Sequence, residues 1–337
     1  MVDLIPDEQQ EELLTSASSF LAREFPRERL RSLVDAGHGV DRSFVEQCGK
    51  LGWLGLGLEE AAGGAGLGLV DEALLFRELG RALVPGPFLG TTLAAKVAVA
   101  GGDRDLAEQL SAGVTLAGLA EVRPDGEVVV WDTEEVDYLL VADLAAGSLV
   151  LVDRAGVEIP DGVASIDRAY SPVRLSAGDL VPPVAEAGPE GPILLAQGMV
   201  LTAAMEVGIA EQTRDDAAAF ASTRVQFGKP IGAFQAVKHR CADMAVRAEA
   251  GWAQTAVAAL RVDIAAAAAG FDVSAAKVVA TDAAIRNTRD NIQNHGGVGY
   301  TAEYDPHLFL KRAHVLEHMF GSPRWHLAVV LEGDPGW

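Results

Sequence analysis

The sequence predicts a mainly α-helical protein with one small β domain between two helical regions. Apolar residues recur every three or four positions in the first and last thirds of the chain, as one face of a helix requires. Short apolar runs rich in β-branched residues occupy the middle third. Proline and glycine clusters separate these regions. We therefore expect domains at residues 1–110, 111–185 and 186–337.

The first region, residues 1–110, is expected to be helical. Pro6-Asp7 opens a helix, and Asp7 is its predicted N-cap. Apolar residues then recur at every fourth position, namely Leu13, Ala17, Leu21 and Phe25. Later helices are predicted around Phe44, Cys48 and Leu51, and over residues 70–83. The glycines between residues 55 and 68 are assigned to turns, because no Lys-Ser or Lys-Thr follows them as in a phosphate-binding loop.

The second region, residues 111–185, is predicted to hold about five to seven short strands. Four of them are expected at residues 114–119, 127–131, 138–141 and 148–152. Asp125-Gly126 is a hairpin-type turn signal between the first two. Pro182-Pro183 marks the exit from the β domain.

The third region, residues 186–337, is predicted to be a four-helix bundle. Residues 193–220 are apolar nearly all round, which indicates a central buried helix. The second helix covers residues 234–259, with a stripe formed by Phe234, Val237, Cys241, Met244, Ala248, Trp252, Ala256 and Ala259. The third covers residues 272–291, with Val273, Ala276, Ala280 and Ala284 on one face. The fourth is expected at residues 308–319.

Composition excludes several classes of function. The formal net charge is −21 at pH 7, which disfavours binding to nucleic acid. Cys48 and Cys241 form no CxxC pair and are expected to be buried, reduced thiols, and no metal site is expected. The N-terminus lacks the features of a signal peptide, and no uninterrupted apolar run reaches the roughly 18 residues of a membrane span. We therefore expect a cytoplasmic protein that does not enter a membrane.

Two motifs in the third region carry the functional prediction. Arg224-Val-Gln-Phe-Gly228 breaks a helix, and its guanidinium can bind a pyrophosphate while Phe227 packs on an adenine or ribose. The motif extends to Gln235. Gln293-Asn-His-Gly-Gly-Val-Gly299 is a glycine-rich turn that lets a ligand approach the backbone N–H groups. His295, inside this motif, is expected to be a solvated loop histidine or a phosphate contact.

These two motifs resemble the signatures of acyl-CoA dehydrogenases, which are FAD enzymes. A third, less specific likeness covers residues 51–68. The resemblance implies the three-domain architecture given above. It also implies that Arg224, Phe227, Gln235, Gln293, Gly296 and Gly297 reach across a subunit interface to the ADP half of a flavin bound mainly by a neighbour.

The resemblance also shows what is missing. The two positions where the family places its catalytic Glu base correspond to Phe320 and Gly198, and neither can accept a proton. No catalytic residue is therefore assigned; the weak candidate is Glu317, a displaced base. Glu206, the other nearby carboxylate, is expected to be either satisfied in the core or placed at an interface.

The parts of the family pattern that cradle a chain's own isoalloxazine ring look degraded. Residues 116–126 lack the Thr-Glu-Pro-x-Ala-Gly-Ser-Asp-like loop, and the next strand is expected to lack a Trp-x-Thr. The chain thus resembles the smaller subunit of heterotetrameric (α2β2) acyl-CoA dehydrogenases of actinobacterial steroid side-chain degradation. A homologous partner would supply the ring pocket and the base, with the acyl-CoA at or near the interface. Two alternatives remain: a self-sufficient homo-oligomeric dehydrogenase that uses Glu317, and a flavin-free scaffold.

Overall fold

The computed structural model describes residues 5–37, 39–160, 162, 165–265 and 269–332. Within these ranges the chain forms helices, then a mixed β-sheet, then long helices. The predicted fold class is therefore confirmed.

In the described residues, six α-helices precede the sheet: α1 Glu8–Glu24, α2 Arg27–Ala36, α3 Arg42–Lys50, α4 Leu69–Ala82, α5 Phe88–Ala100 and α6 Arg104–Ser111. Asp7 caps α1 as predicted, because its carboxylate accepts from the Gln10 N–H at 2.9 Å and the Gln10 side chain accepts from the Asp7 N–H in return. The prediction that Leu51 belongs to α3 is wrong. Leu51 follows the helix and is 52% exposed, since Gly52 at φ 81° ends it.

The described part of the sheet has six strands: β1 Ala117–Val122, β2 Glu127–Val130, β3 Tyr138–Asp143, β4 Ser148–Asp153, β5 Val173–Ser176 and β6 Ala185–Glu186. Their order is β5-β2-β1-β3-β4-β6; β1 and β3 are parallel and the other neighbours are antiparallel. β1 begins three residues later than predicted. The N–H groups of Val114 and Thr115 instead bond to the Gln109 carbonyl and close the end of α6.

Up to residue 332, where the described chain ends, five α-helices follow the sheet: α7 Gly191–Thr223, α8 Gln235–Asp263, α9 Ala269–His295, α10 Pro306–Leu316 and α11 Pro323–Glu332. α7 packs against α4, α8 and α9. An added Cβ at Gly208 would lie 2.0 Å from the Arg77 carbonyl oxygen, so this glycine lets α4 and α7 approach closely. Helix α11 was not predicted.

The central position of α7 explains its composition. The stretch Gly188–Thr223 is long and apolar enough to cross a bilayer, but 89% of its most apolar 18-residue window is buried inside the protein. It is the core helix that the sequence predicts.

The apolar stripe on α8 is only partly buried. Met244, Ala248, Trp252, Ala256 and Ala259 lie in the core, whereas Phe234, Val237 and Cys241 stay half-exposed. The prediction that Cys241 is buried is therefore wrong. This part of the helix extends beyond the core beside the Arg224 segment.

Candidate functional site

The Arg224 motif forms a β-hairpin between α7 and α8. Arg224 is the C-cap of α7, and Val225–Gln226 (β7) pairs with Lys229–Pro230 (β8). Phe227 and Gly228 form the turn at φ 52° and 79°. Positive φ at both central residues suits the twist of a two-residue hairpin, but a bulky residue such as Phe rarely adopts it. The hairpin therefore holds Phe227 in a strained conformation.

The predicted ligand-binding side chains of this hairpin project outward. The Phe227 side chain is 91% exposed. Among the described residues, the aromatic ring that it contacts is that of Phe234, in a T-shaped arrangement with 6.1 Å between the centroids. Arg224 and Gln235 are exposed, and the described part of the chain provides no hydrogen bond or ion pair for the Arg224 guanidinium. Lys229 adds a second cation, with its Nζ 4.4 Å from the Phe234 ring centre. These groups are available to a ligand.

The second motif lies at the end of α9. Gly296–Tyr300 forms a 3-10 helix that begins with Gly296 at φ 66°. Gln293 and Gly297 are exposed, and a Cβ added at Gly297 would meet no atom within 4 Å. An anion can therefore reach the backbone here without steric obstruction.

An aromatic stack brings the two motifs together. The rings of Phe220 and His295 are stacked with centroids 4.1 Å apart, and Tyr304 meets His295 edge-on at 6.4 Å. Phe220 precedes Arg224 by about one helical turn, and His295 directly precedes Gly296. His295 is half-buried and its Nδ1–H donates to the Asn291 carbonyl at 2.9 Å. The expectation of a solvated loop histidine is therefore wrong.

The two positions predicted for a catalytic base pack against each other. A Cβ added at Gly198 would lie 2.5 Å from the Cζ atom of Phe320. The Phe320 side chain is fully buried and its φ is 54°. The ring of Phe320 thus occupies the space that Gly198 leaves open, and neither residue offers a carboxylate.

Hydrogen bonds fix the Phe320 backbone on both sides. Its N–H donates to Glu121 Oε1 at 2.9 Å, and its carbonyl accepts from His326 Nε2 at 2.9 Å. Burial lowers the pKa of His326 to about 3, so the ring is neutral. Because a carbonyl can only accept, the proton lies on Nε2. Contacts within the chain therefore fix the Phe320 backbone and close the space around its ring.

Glu121 on β1 is the carboxylate at the centre of this closed region. It is buried, accepts a bond from the Trp131 indole Nε1–H at 2.9 Å, and lies 3.6 Å from Arg123. Burial raises the pKa of Glu121, while Arg123 opposes that shift. The expected lack of a Trp-x-Thr is wrong, because Trp131-Asp132-Thr133 has that spacing. Trp131, however, is buried and turned toward Glu121. Its bond to Glu121 is not apparent from sequence.

The other candidate carboxylates have different settings. Glu206 is fully buried, paired with Lys277 at 3.1 Å and bonded by Thr281 at 2.9 Å, so it is satisfied in the core. Glu317 follows α10, and its Oε1 lies 2.7 Å from His314 Nδ1. Its side chain is 18% exposed, so Glu317 stays a weak candidate base.

Sequence comparison identifies the class. Residues 7–114 match the family described as "Acyl-CoA dehydrogenase, N-terminal domain" and residues 194–333 match "Acyl-CoA dehydrogenase, C-terminal domain". The chain therefore belongs to the acyl-CoA dehydrogenase family. It is 33% identical over 324 residues to acyl-CoA dehydrogenase IpdE2 of Mycobacterium tuberculosis, covering 95% of this chain and 96% of that protein. It is 36% identical to acyl-CoA dehydrogenase FadE34 of the same species, covering 96% of this chain and 48% of FadE34.

Solved structures share the fold. One is described as a Tcur3481-Tcur3483 steroid ACAD G363A variant; its TM-score is 0.84 at 24% identity, over 96% of this chain and 97% of that one. Another is the ChsE4-ChsE5 complex of Mycobacterium tuberculosis, with a TM-score of 0.81 at 21% identity over 98% of both chains. Both descriptions name two components.

Proposed function

We propose that this chain is a subunit of an FAD-dependent acyl-CoA dehydrogenase that acts as a two-plus-two heterotetramer. It contributes contacts to the ADP half of a flavin whose reactive ring lies in a homologous partner subunit. The contacting residues are Arg224, Phe227, Gln235, Gln293, Gly296 and Gly297. The partner supplies the catalytic base, and this chain alone oxidises no acyl-CoA.

The observation that carries the proposal is a contrast between two regions of one chain. The ring of Phe320 packs against Gly198 at the expected position of a catalytic base, and the Phe320 N–H donates a hydrogen bond to Glu121. The two nucleotide-binding motifs, in contrast, present exposed side chains and an open glycine turn. A chain that carried out the reaction on its own flavin would need space and a carboxylate where Phe320 packs against Gly198.

The exposed groups suit a dinucleotide. A guanidinium and the N–H groups of a glycine turn are donors for a pyrophosphate, and an exposed aromatic ring can stack on an adenine. Bound FAD would supply hydride acceptance to the complex. The cations Arg224, Lys229 and Lys238 lie within one short segment and offset the acidic net charge locally.

The central experiment compares the purified chain with the chain co-purified with its partner. We expect the lone chain to be colourless and inactive, and the complex to hold FAD and reduce an electron acceptor with an acyl-CoA. The proposal fails if the lone chain is yellow and active. Arg224→Ala should lower the FAD content of the complex, whereas Arg286→Ala, an exposed arginine paired with Asp282, should not.

Two alternatives make opposite predictions. If the chain were a flavin-free scaffold, Arg224→Ala would leave the FAD content of the complex unchanged. If it were self-sufficient, Glu317 would act as the base, and Glu317→Gln would abolish turnover by the lone chain.

The proposal extends to the substrate class and the cellular location. We propose a CoA thioester with a bulky acyl group, such as a steroid side chain, because a structural neighbour is described as a steroid ACAD. The acyl-CoA would bind at or near the subunit interface. A cytoplasmic location agrees with the two free cysteines and the buried apolar helix.

A further inference from the structure

Arg31 on α2 holds the segment that follows the glycine turn. Its NH1 donates to the Ala302 carbonyl at 2.6 Å and its NH2 to the Glu303 carbonyl at 2.9 Å. Its Nε donates to Asp305 Oδ1 at 2.8 Å. One guanidinium therefore fixes three residues that lie more than 270 positions away in the sequence.

The segment held by Arg31 is continuous with the glycine turn. The N–H and the hydroxyl of Thr301 both donate to the Val298 carbonyl, at 3.1 and 2.9 Å. Tyr304, between two of the residues bound by Arg31, meets His295 edge-on. His295 in turn stacks on Phe220, one turn before Arg224. Contacts thus run from Arg31 to both nucleotide-binding motifs.

We propose that Arg31 is a positioning residue for the nucleotide site. It holds residues 301–305 in one conformation, which fixes the glycine turn and its register with Arg224 before FAD arrives. This inference rests on the proposed function. A lysine would not substitute, because only the planar guanidinium offers several N–H donors in a rigid fork.

A purely structural role is the competing explanation, since Arg31 also joins α2 to the C-terminal helices. Arg29 provides a matched control. It lies on the same helix, is similarly exposed, and bonds one carboxylate (Asp41) and one carbonyl (Glu24), but it does not touch the glycine-turn segment. Substitution of Arg31 or of Arg29 by alanine should lower the free energy of unfolding. Only substitution of Arg31 should also weaken FAD binding.

The test uses Arg31→Ala, Arg31→Lys, Arg29→Ala and Arg224→Ala. Amide hydrogen exchange of residues 296–305 is measured in the FAD-free chain, and FAD affinity in the complex with the partner subunit. We expect both Arg31 variants to exchange faster in this segment and to bind FAD about tenfold more weakly. Arg29→Ala should change neither quantity by more than about twofold.

Each outcome decides one point. Unchanged exchange in Arg31→Ala, unchanged FAD affinity despite faster exchange, or full rescue by Arg31→Lys would each overturn the positioning role. If Arg224→Ala weakens FAD binding while Arg31→Ala does not, only this inference fails. If Arg224→Ala has no effect, the proposed function fails and this inference with it.

Discussion

Gly198→Ala tests whether the closed region around Phe320 is as rigid as its contacts imply. The new methyl would lie 2.5 and 2.6 Å from two ring atoms of Phe320, which is shorter than any normal contact. The ring is fully buried and its backbone is bonded at both ends, so it has little room to move. Overpacking of this kind costs about 1–3 kcal/mol.

A glycine-to-alanine change within a helix also stabilises by about 1 kcal/mol, because alanine restricts the unfolded chain and favours the helix. Taking the upper part of the overpacking range, the free energy of unfolding of Gly198→Ala should fall by about 2 kcal/mol. Urea denaturation of the lone chain measures this change. Gly178→Ala is the control, because a Cβ there meets no atom within 4 Å.

A double-mutant cycle makes the test specific. Phe320→Leu removes part of the ring and should destabilise by itself, but the space it leaves accommodates the methyl group introduced by Gly198→Ala. We therefore expect a favourable coupling of about 1–2 kcal/mol between the two substitutions. If Gly198→Ala is as stable as wild type, or if the two effects simply add, the ring does not fill this space as described.

Three further predictions address other sites. Burial raises the pKa of Asp132 to about 6, so between about pH 4 and 6 the folded state keeps a proton that the unfolded state releases, and the contribution of Asp132 to the free energy of unfolding falls as pH rises. Asp132→Asn should remove about 3 kcal/mol of pH dependence from the stability measured by urea titration, and parallel curves for the two proteins would contradict this. Glu317→Gln should leave turnover of the complex within about twofold, whereas a loss of about a hundredfold would identify Glu317 as the base. His295→Ala should break its stack with Phe220 and weaken FAD binding about tenfold in equilibrium titration of the complex, and unchanged affinity would contradict that role.

Much of the fold was predictable because its signals are local. The capping residue Asp7, the small-residue face of α9 and the Asp125-Gly126 turn each act within a few residues of chain. Helix α11, 10 residues long, was missed; it begins two residues after Gly321, whose φ is 103°. Pro323 at its first turn was the available signal.

The candidate site was only partly predictable, because only some of its contacts are signalled by residues that are close in sequence. Arg224 and Gln293 belong to contiguous motifs and are exposed, and their contact with a nucleotide stays a prediction. Other contacts join residues more than a hundred positions apart, so no local pattern signals them. These are the packing of Phe320 against Gly198 and the hydrogen bonds from Arg31 to residues 302–305. The sequence predicts that neither Phe320 nor Gly198 supplies a catalytic base, and the structure adds that the ring of Phe320 packs against Gly198.

Two phenylalanines with left-handed backbone conformations show how the chain divides its roles. For Phe320, the ring contact and two hydrogen bonds within the chain account for the strain, because strained residues persist where their surroundings determine the conformation. For Phe227, the hairpin fixes the backbone, but the ring is 91% exposed and contributes little to folding. The bulky side chain of Phe227 is therefore better explained by binding to another molecule than by folding.

A substitution at Phe227 should therefore affect stability and FAD binding in opposite directions. Phe227→Asn would place Asn-Gly in the turn, the pair that this type of hairpin prefers. We expect the free energy of unfolding of the lone chain to rise by about 1 kcal/mol, since asparagine tolerates positive φ. FAD affinity of the complex should fall about tenfold, because the proposed packing of the ring on the nucleotide would be lost. A destabilised lone chain would contradict the strain, and unchanged FAD affinity would contradict the ligand contact. Gain in one measurement with loss in the other is the result expected of a residue retained for binding rather than for folding.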